Sequence, residues 1–126
     1  FVHDMALAMA ARLEREANTP AAQVDRAFRL VYGRTPAPEE RRLSLAHLAR
    51  QTEYHKATPP PAKAEKKPIV HTITSELTGE KSSFVQLEDP APYEANLSPR
   101  DVAPSTRALA DLALVLLNSN EFVYVY

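Results

Sequence analysis

Four histidines are the first residues to test for chemistry: His3, His47, His55 and His71. A zinc or iron centre needs its ligands to converge within roughly 2 Å of one ion. His47 and His55 lie eight apart on one predicted helix, about two turns or about 12 Å, so they do not share a metal. The chain has no cysteine, which removes disulfides, thiolate ligands, thiol catalysis and a covalently attached c-type haem from this stretch. Glu39 and Glu40 are adjacent on a helix and diverge by about 100°, so they do not face each other as an acid–base pair. Their place beside the positive end of the helix dipole explains them better. Ser75, Ser105 and Ser119 have no accompanying histidine and acid pattern for a triad. Asn96-Leu97-Ser98 has acceptor spacing for glycosylation, but Pro99 follows it.

Arg34 and Glu121 support a sharper expectation. Arg34 falls in a junction between two predicted helices and Glu121 just past a third. A charge among apolar and turn residues needs a partner when it leaves water. Arg34 is therefore expected to bind a carboxylate or helix-end carbonyls, with Glu121, Asp111 and Glu40 as candidates. The role is structural: no catalytic, cofactor-binding or metal residue is assigned, and the histidines are read as ordinary surface residues.

The elements that must position these groups are helices. The 126 residues are 44% hydrophobic and 25% charged, enough for one ordinary domain with a core. Residues 2–17 carry Val2, Met5, Ala6, Met9 and Leu13 at one-face spacing. Thr19-Pro20 caps and opens a second helix over 20–32, with Val24, Ala27, Phe28 and Val31 on its stripe and Gly33 as its left-handed stop. A third helix over 38–54 opens at Pro38, with Leu43, Leu45, Ala46, Leu48 and Ala49 on a broad apolar side. The fourth, over 105–118, carries Leu109, Leu112, Ala113, Leu116 and Leu117 and is apolar on nearly all sides, with Ser105 as the expected N-cap. The predicted core is Met5, Met9, Leu13, Val24, Phe28, Val31, Leu43, Leu48, Leu109, Leu112, Leu116 and Phe122.

The middle of the chain is different. Eight of the 11 prolines fall between Pro59 and Pro104, and the chain has only 2 glycines. So few glycines disfavour a many-stranded sandwich and a Gly-rich phosphate loop. Residues 57–67 read as linker. For 69–78 the spacing of Ile69, Val70, Ile73 and Leu77 before Gly79 favours a short helix, with a strand as the competitor because β-branching is heavy. Residues 80–103 read as irregular chain. The fold class is thus mainly α: a small bundle of about four main helices with a long Pro-rich excursion over 57–104 that lies over it. Residues 1–56 form the three-helix N-terminal part; residues 105–126 add the buried helix and an aromatic tail that must pack against something.

The partners excluded are clear. Lys and Arg number 15 against 16 Asp and Glu, a net charge of −1. The helix pair over 20–54 has Arg26, Arg29, Arg34, Arg41, Arg42 and Arg50 against Asp25, Glu39, Glu40 and Glu53, a mild excess for a DNA-reading element. Nucleic acid is not expected as a partner. No apolar run approaches a membrane span, and no signal peptide is visible. The helix that opens at Phe1 has no cap, so a larger parent polypeptide is expected.

Three segments carry a resemblance. They are Arg34-Thr35-Pro36-Ala37-Pro38-Glu39-Glu40, His71-Thr72-Ile73-Thr74-Ser75-Glu76-Leu77-Thr78-Gly79-Glu80, and Arg107 through Val125 with its Asn118-Ser119-Asn120-Glu121-Phe122 signature. In this order they resemble the C-terminal part of the planctomycete cytochrome-associated PSD-one domain. That family has unknown function and occurs in large, predicted-secreted bacterial proteins, often behind a cytochrome c-like module. Ala37 stands where the family commonly has a Thr cap. The resemblance implies an extracytoplasmic location and a non-catalytic structural or interaction part of a larger secreted protein. It implies upstream domains of the same polypeptide as partners. Separately, the apolar Val2–Leu13 face and the Phe122–Tyr126 tail are the surfaces expected to meet a protein partner. The alternative is a helical accessory part of an enzyme or a cytochrome-linked electron-transfer protein whose active site lies upstream of Phe1.

Overall fold

A computed structural model describes residues 1–62, 68–86 and 97–124. The chain forms two compact units, one helical (Phe1–Pro60 with Ala95–Tyr126) and one over Pro61–Glu94.

The helical unit is a bundle of four main helices: α1 (Val2–Glu16), α2 (Pro20–Tyr32), α3 (Pro38–Ala57) and α4 (Pro104–Leu117), with a short α5 (Asn120–Val123) behind them. Helix α4 packs against α1 and α3 and also touches α2 and α5. Its neighbours cover Ala108, Leu109, Leu112, Ala113 and Leu116. Ala10 and Leu13 of α1, Val24, Ala27 and Phe28 of α2, and Leu48 of α3 join three of these leucines and Ala108 in one core cluster. None of the helices among the described residues is long and apolar enough to cross a membrane.

The caps follow local chemistry. Thr19 Oγ1 accepts from the Ala22 amide at 3.2 Å, and Pro20 takes the first helical position. Gly33 stops α2 at φ 72°, where a Cβ would be strained. Helix α3 has Ala37 at its N-cap with no side-chain acceptor; Glu40 answers from the third position, accepting from the Ala37 amide at 2.7 Å. Helix α4 begins at Pro104 with Ala103 as N-cap, so Ser105 lies inside the helix rather than capping it. A proline fits the first turn and holds the residue before it extended, which moves the start one position upstream.

Three core assignments are corrected. Met5, Leu43 and Phe122 are exposed. The buried stripe of α1 is Ala6, Leu7, Ala10 and Leu13, rotated toward small residues that let α4 approach. In α3, Ser44 and Leu48 are buried one turn apart, and Leu43 projects beside them into solvent. Leu13 is 0% exposed, so the Val2–Leu13 face is largely closed inside the chain; Phe1, Val2 and Met5 remain open. The aromatic tail does not pack as expected either: Phe122, Val123 and Tyr124 are exposed, while Val125 and Tyr126 lie outside the described residues.

The second unit holds an antiparallel hairpin, β1 (Val70–Thr74) paired with β2 (Lys81–Val85), Val70 opposite Val85 and Thr74 opposite Lys81. This replaces the short helix expected over 69–78 and part of the irregular chain expected over 80–103. Ile69, Val70, Thr72, Ile73 and Thr74 are all β-branched, and that stiffness favours the pleated strand over the helix. Gly79 does adopt the left-handed conformation at φ 72°, but in the connecting turn, where its amide bonds the Ser75 carbonyl at 2.9 Å. The linker expectation falls partly on residues 63–67, outside the described residues.

Replacing Leu109 by Ala is expected to cost about 3 kcal/mol, because the side chain is fully enclosed and α4 is held from several sides. Val115→Ala, on the exposed flank of the same helix, is expected to cost under about 0.5 kcal/mol. Urea unfolding of the two variants checks the difference; equal losses would contradict this packing.

Candidate functional site

Arg34 follows the left-handed stop of α2, and that turn aims its side chain across the start of α3 toward α5. Its Nη1 and Nη2 donate to the two carboxylate oxygens of Glu40, each at 2.7 Å. Its Nε and Nη2 donate to the two of Glu121 at 2.6 and 2.8 Å. Nη1 also reaches the Thr35 carbonyl at 3.2 Å. All the donors of the guanidinium are thereby used, in two bidentate forks. The cation lies 5.6 Å from the centre of the Phe28 ring and 5.3 Å from that of Tyr32, which adds cation–π attraction. Arg34 thus holds two of the carboxylates named as candidates, Glu40 and Glu121. Asp111, the third, pairs elsewhere.

The electrostatics follow from these contacts. Hydrogen bonds from Arg34, then from the Ala37 amide, hold the Glu40 carboxyl at about 2. Hydrogen bonds from Arg34 also lower the Glu121 carboxyl and raise Arg34 itself. Tyr32 extends the junction: its hydroxyl meets Ser119 Oγ at 2.7 Å, and Ser119 caps α5 by accepting from the Phe122 amide. Glu39 points away to Arg42, as adjacent helical positions require.

A second polar group lies between α3 and α4. His55 Nε2 and Asp111 Oδ2 are 2.7 Å apart, and the His55 side chain is 16% exposed. This corrects the reading of His55 as an ordinary surface residue. Arg107 is 8% exposed and donates to the carbonyls of His55 at 2.8 Å and Thr58 at 3.4 Å, closing the negative end of α3. Its Nε has no hydrogen-bond partner among the described residues. Next to Arg107, Thr106 Oγ1 donates to the Glu14 carboxylate at 2.9 Å, tying α4 to α1. An arginine inside so apolar a helix was the available signal for this group; a buried guanidinium always needs acceptors.

His55, Asp111 and Arg107 line a cleft of about 140 Å³ together with His3, Asp4 and Leu7. A wider groove of about 360 Å³ runs between α3 and α4 past Leu43, Ser44, His47 and Val115. His47 Nε2 is buried there without a partner among the described residues. Burial and then Arg50 push the His47 imidazole below its ordinary value, against an opposing pull from Asp111. His71 is in the hairpin, 2.8 Å from Gln86 Oε1. Among the described residues no three His, Asp or Glu side chains converge as a metal site. Asn96 lies outside them. Comparison with protein-family models, with curated proteins and with solved structures finds no match to this chain.

The pH dependence has two windows. His47 is depressed from 6.5, so its contribution is present above that value and is lost as pH falls through the folded value. Glu40 is depressed from 4.5 to about 2, so its stabilisation is complete above 4.5 and declines between 4.5 and 2. Arg34→Met is expected to lower Tm at pH 7 and to flatten the acid window; His47→Gln is expected to flatten the upper one only. Thermal melts from pH 7 to pH 2 check both, and an Arg34→Met protein with an unaltered acid limb would refute the assignment of that limb.

Proposed function

We propose that this chain is the non-catalytic structural and interaction part of a larger secreted bacterial protein, equivalent to the C-terminal part of a PSD-one domain. One observation carries the reading. The Arg34–Glu40 turn and the Asn118–Phe122 stretch, two segments on which the resemblance rests, meet in a single ion cluster. Their most distinctive side chains are spent on each other: Arg34 on Glu40 and Glu121, Ser119 on Tyr32 and the start of α5. Residues used in this way hold an architecture together and leave no group of that cluster to attack a substrate. The upstream domains of the polypeptide are the partners in this reading. The apolar side chains left open at Phe1, Val2, Met5 and Tyr124 supply the contact.

One observation favours a second reading, an accessory part of an enzyme or electron-transfer protein. The cleft at His55 and Asp111 draws polar side chains from α1, α3 and α4.

Thiol labelling separates the two readings, because the chain has no cysteine of its own. Met5→Cys and Tyr124→Cys are expected to react rapidly in this chain alone and slowly in the longer protein, with site-resolved mass spectrometry as the readout. Equal rates in both would overturn the interaction reading. If His55→Ala abolishes an activity of the longer protein while Tm and labelling stay unchanged, the second reading replaces it.

A further inference from the structure

Every residue of the hairpin strands is exposed, including Val70, Ile73, Phe84 and Val85, and Leu77 in the turn is 98% exposed. A lone two-stranded ribbon is marginal in water and gains stability from a third strand. The ladder defines which edge is free. Gln86 donates to the Ile69 carbonyl and Ser75 donates to the Glu80 carbonyl, both at 2.8 Å, so the odd residues of β1 spend their backbone groups on β2. The N–H and C=O groups of Val70, Thr72 and Thr74 therefore point outward along an open edge.

The two edges differ in charge. From Pro68 to Thr74 there is no Lys, Arg, Asp or Glu, whereas Glu80 precedes β2 and Lys81 opens it. Exposed edges are ordinarily guarded by charge, proline or a bulge; Pro68 stands just before β1, but from Val70 to Thr74 the outward edge has none of these. We propose that this chain pairs with a second copy of itself through the open edge of β1, antiparallel and centred on Thr72.

The register is self-consistent. Thr72 faces the partner's Thr72, and Val70 faces the partner's Thr74, so the outward backbone groups of both copies bond each other. Odd residues then lie beside odd residues. Ile69, Ile73 and Phe84 of both copies share one face of a four-stranded sheet, on which His71 stacks against Phe84 at 5.4 Å. No like charges meet, and a Thr–Thr pair is favourable across strands. The two-fold contact is closed and leaves the charged β2 strands outermost, whereas β1 on β2 of another copy would propagate without end. The proposal is independent of any upstream partner.

Sedimentation velocity of the 14.0 kDa chain tests it. The mass is expected to rise with concentration to that of a dimer and no further. Thr72→Pro removes an outward N–H from each copy and leaves the β1–β2 ladder its own bonds; it is expected to weaken the dimer about thirtyfold. Thr72→Lys sets two ammonium groups opposite each other and is expected to weaken it without a backbone change. Ser83→Lys loses the same Thr72–Ser83 hydroxyl contact, 3.0 Å, yet leaves the β1 edge bare, and is expected to dimerise normally. The His71–Phe84 nuclear Overhauser contact reports an intact hairpin; if Thr72→Pro melts it, Thr72→Lys decides. A chain that stays monomeric at every concentration overturns the proposal, including one whose β1 captures a strand of another protein. So does a dimer that Thr72→Lys leaves intact or that Ser83→Lys dissolves equally.

Discussion

Helix α4 cannot stand alone in water. From Ala108 to Leu117 only Asp111 is polar, and a helix apolar on nearly all sides is stable only when other elements surround it. That requirement dictates the bundle: α1 and α3 lie along α4, and α2 closes on the Phe28 side of the same core. The alanines decide how closely. Ala10 and Ala27 on the surrounding helices and Ala108 and Ala113 on α4 are fully enclosed, so the helices approach until backbone and small side chains touch. Each helix that joins this core brings its ends with it, and the polar backbone at those ends then needs partners.

Those ends are where the charged side chains are used. Arg34 joins the α2–α3 turn to both the first turn of α3 and α5; Arg107 closes the last turn of α3 from within α4. The two arginines solve different problems. Arg34 is half-exposed and bound to two carboxylates, so each fork is screened by water and its value lies in setting the angle between elements. Arg107 is buried and bound to carbonyls, so its charge is balanced by the negative end of a helix. Removing its acceptors would leave a cation inside the bundle, which is costlier than losing a surface pair.

The helices were legible because their signals are local: Thr19-Pro20, Gly33 and Pro38 mark termini by chain geometry alone. The Arg34 cluster was legible as a need, since a guanidinium between two apolar helices must find acceptors, and Glu40 and Glu121 were within the candidates named. Asp111, the third candidate, pairs with His55 instead, because the sequence does not reveal rotation about a helix axis. The same ambiguity misplaced Met5 and Leu43: stripes one residue apart look alike until the partner is known, and α4 selects the one with small side chains. The hairpin was misread because Ile69, Val70, Ile73 and Leu77 satisfy a helical repeat while their β-branching opposes it. Gly79 supplied the same left-handed conformation that either a helix stop or a hairpin turn requires.

The two units obey opposite rules of surface design. On the bundle, exposed charges are paired across and along helices: Glu16 holds Arg12 and Arg26, Asp25 holds Arg41, Glu39 holds Arg42. Where those pairs lie, a partner must displace hydrated, mutually satisfied ions. The hairpin has hydroxyls and branched apolar side chains on both faces and an uncharged strand at its edge. Among the described residues the outward backbone groups of Val70, Thr72 and Thr74 have no protein partner, and a strand of matching pattern can take up those bonds without burying any charge. If the bundle is the part that must keep its shape, the hairpin is the part whose free energy falls when something adds to it.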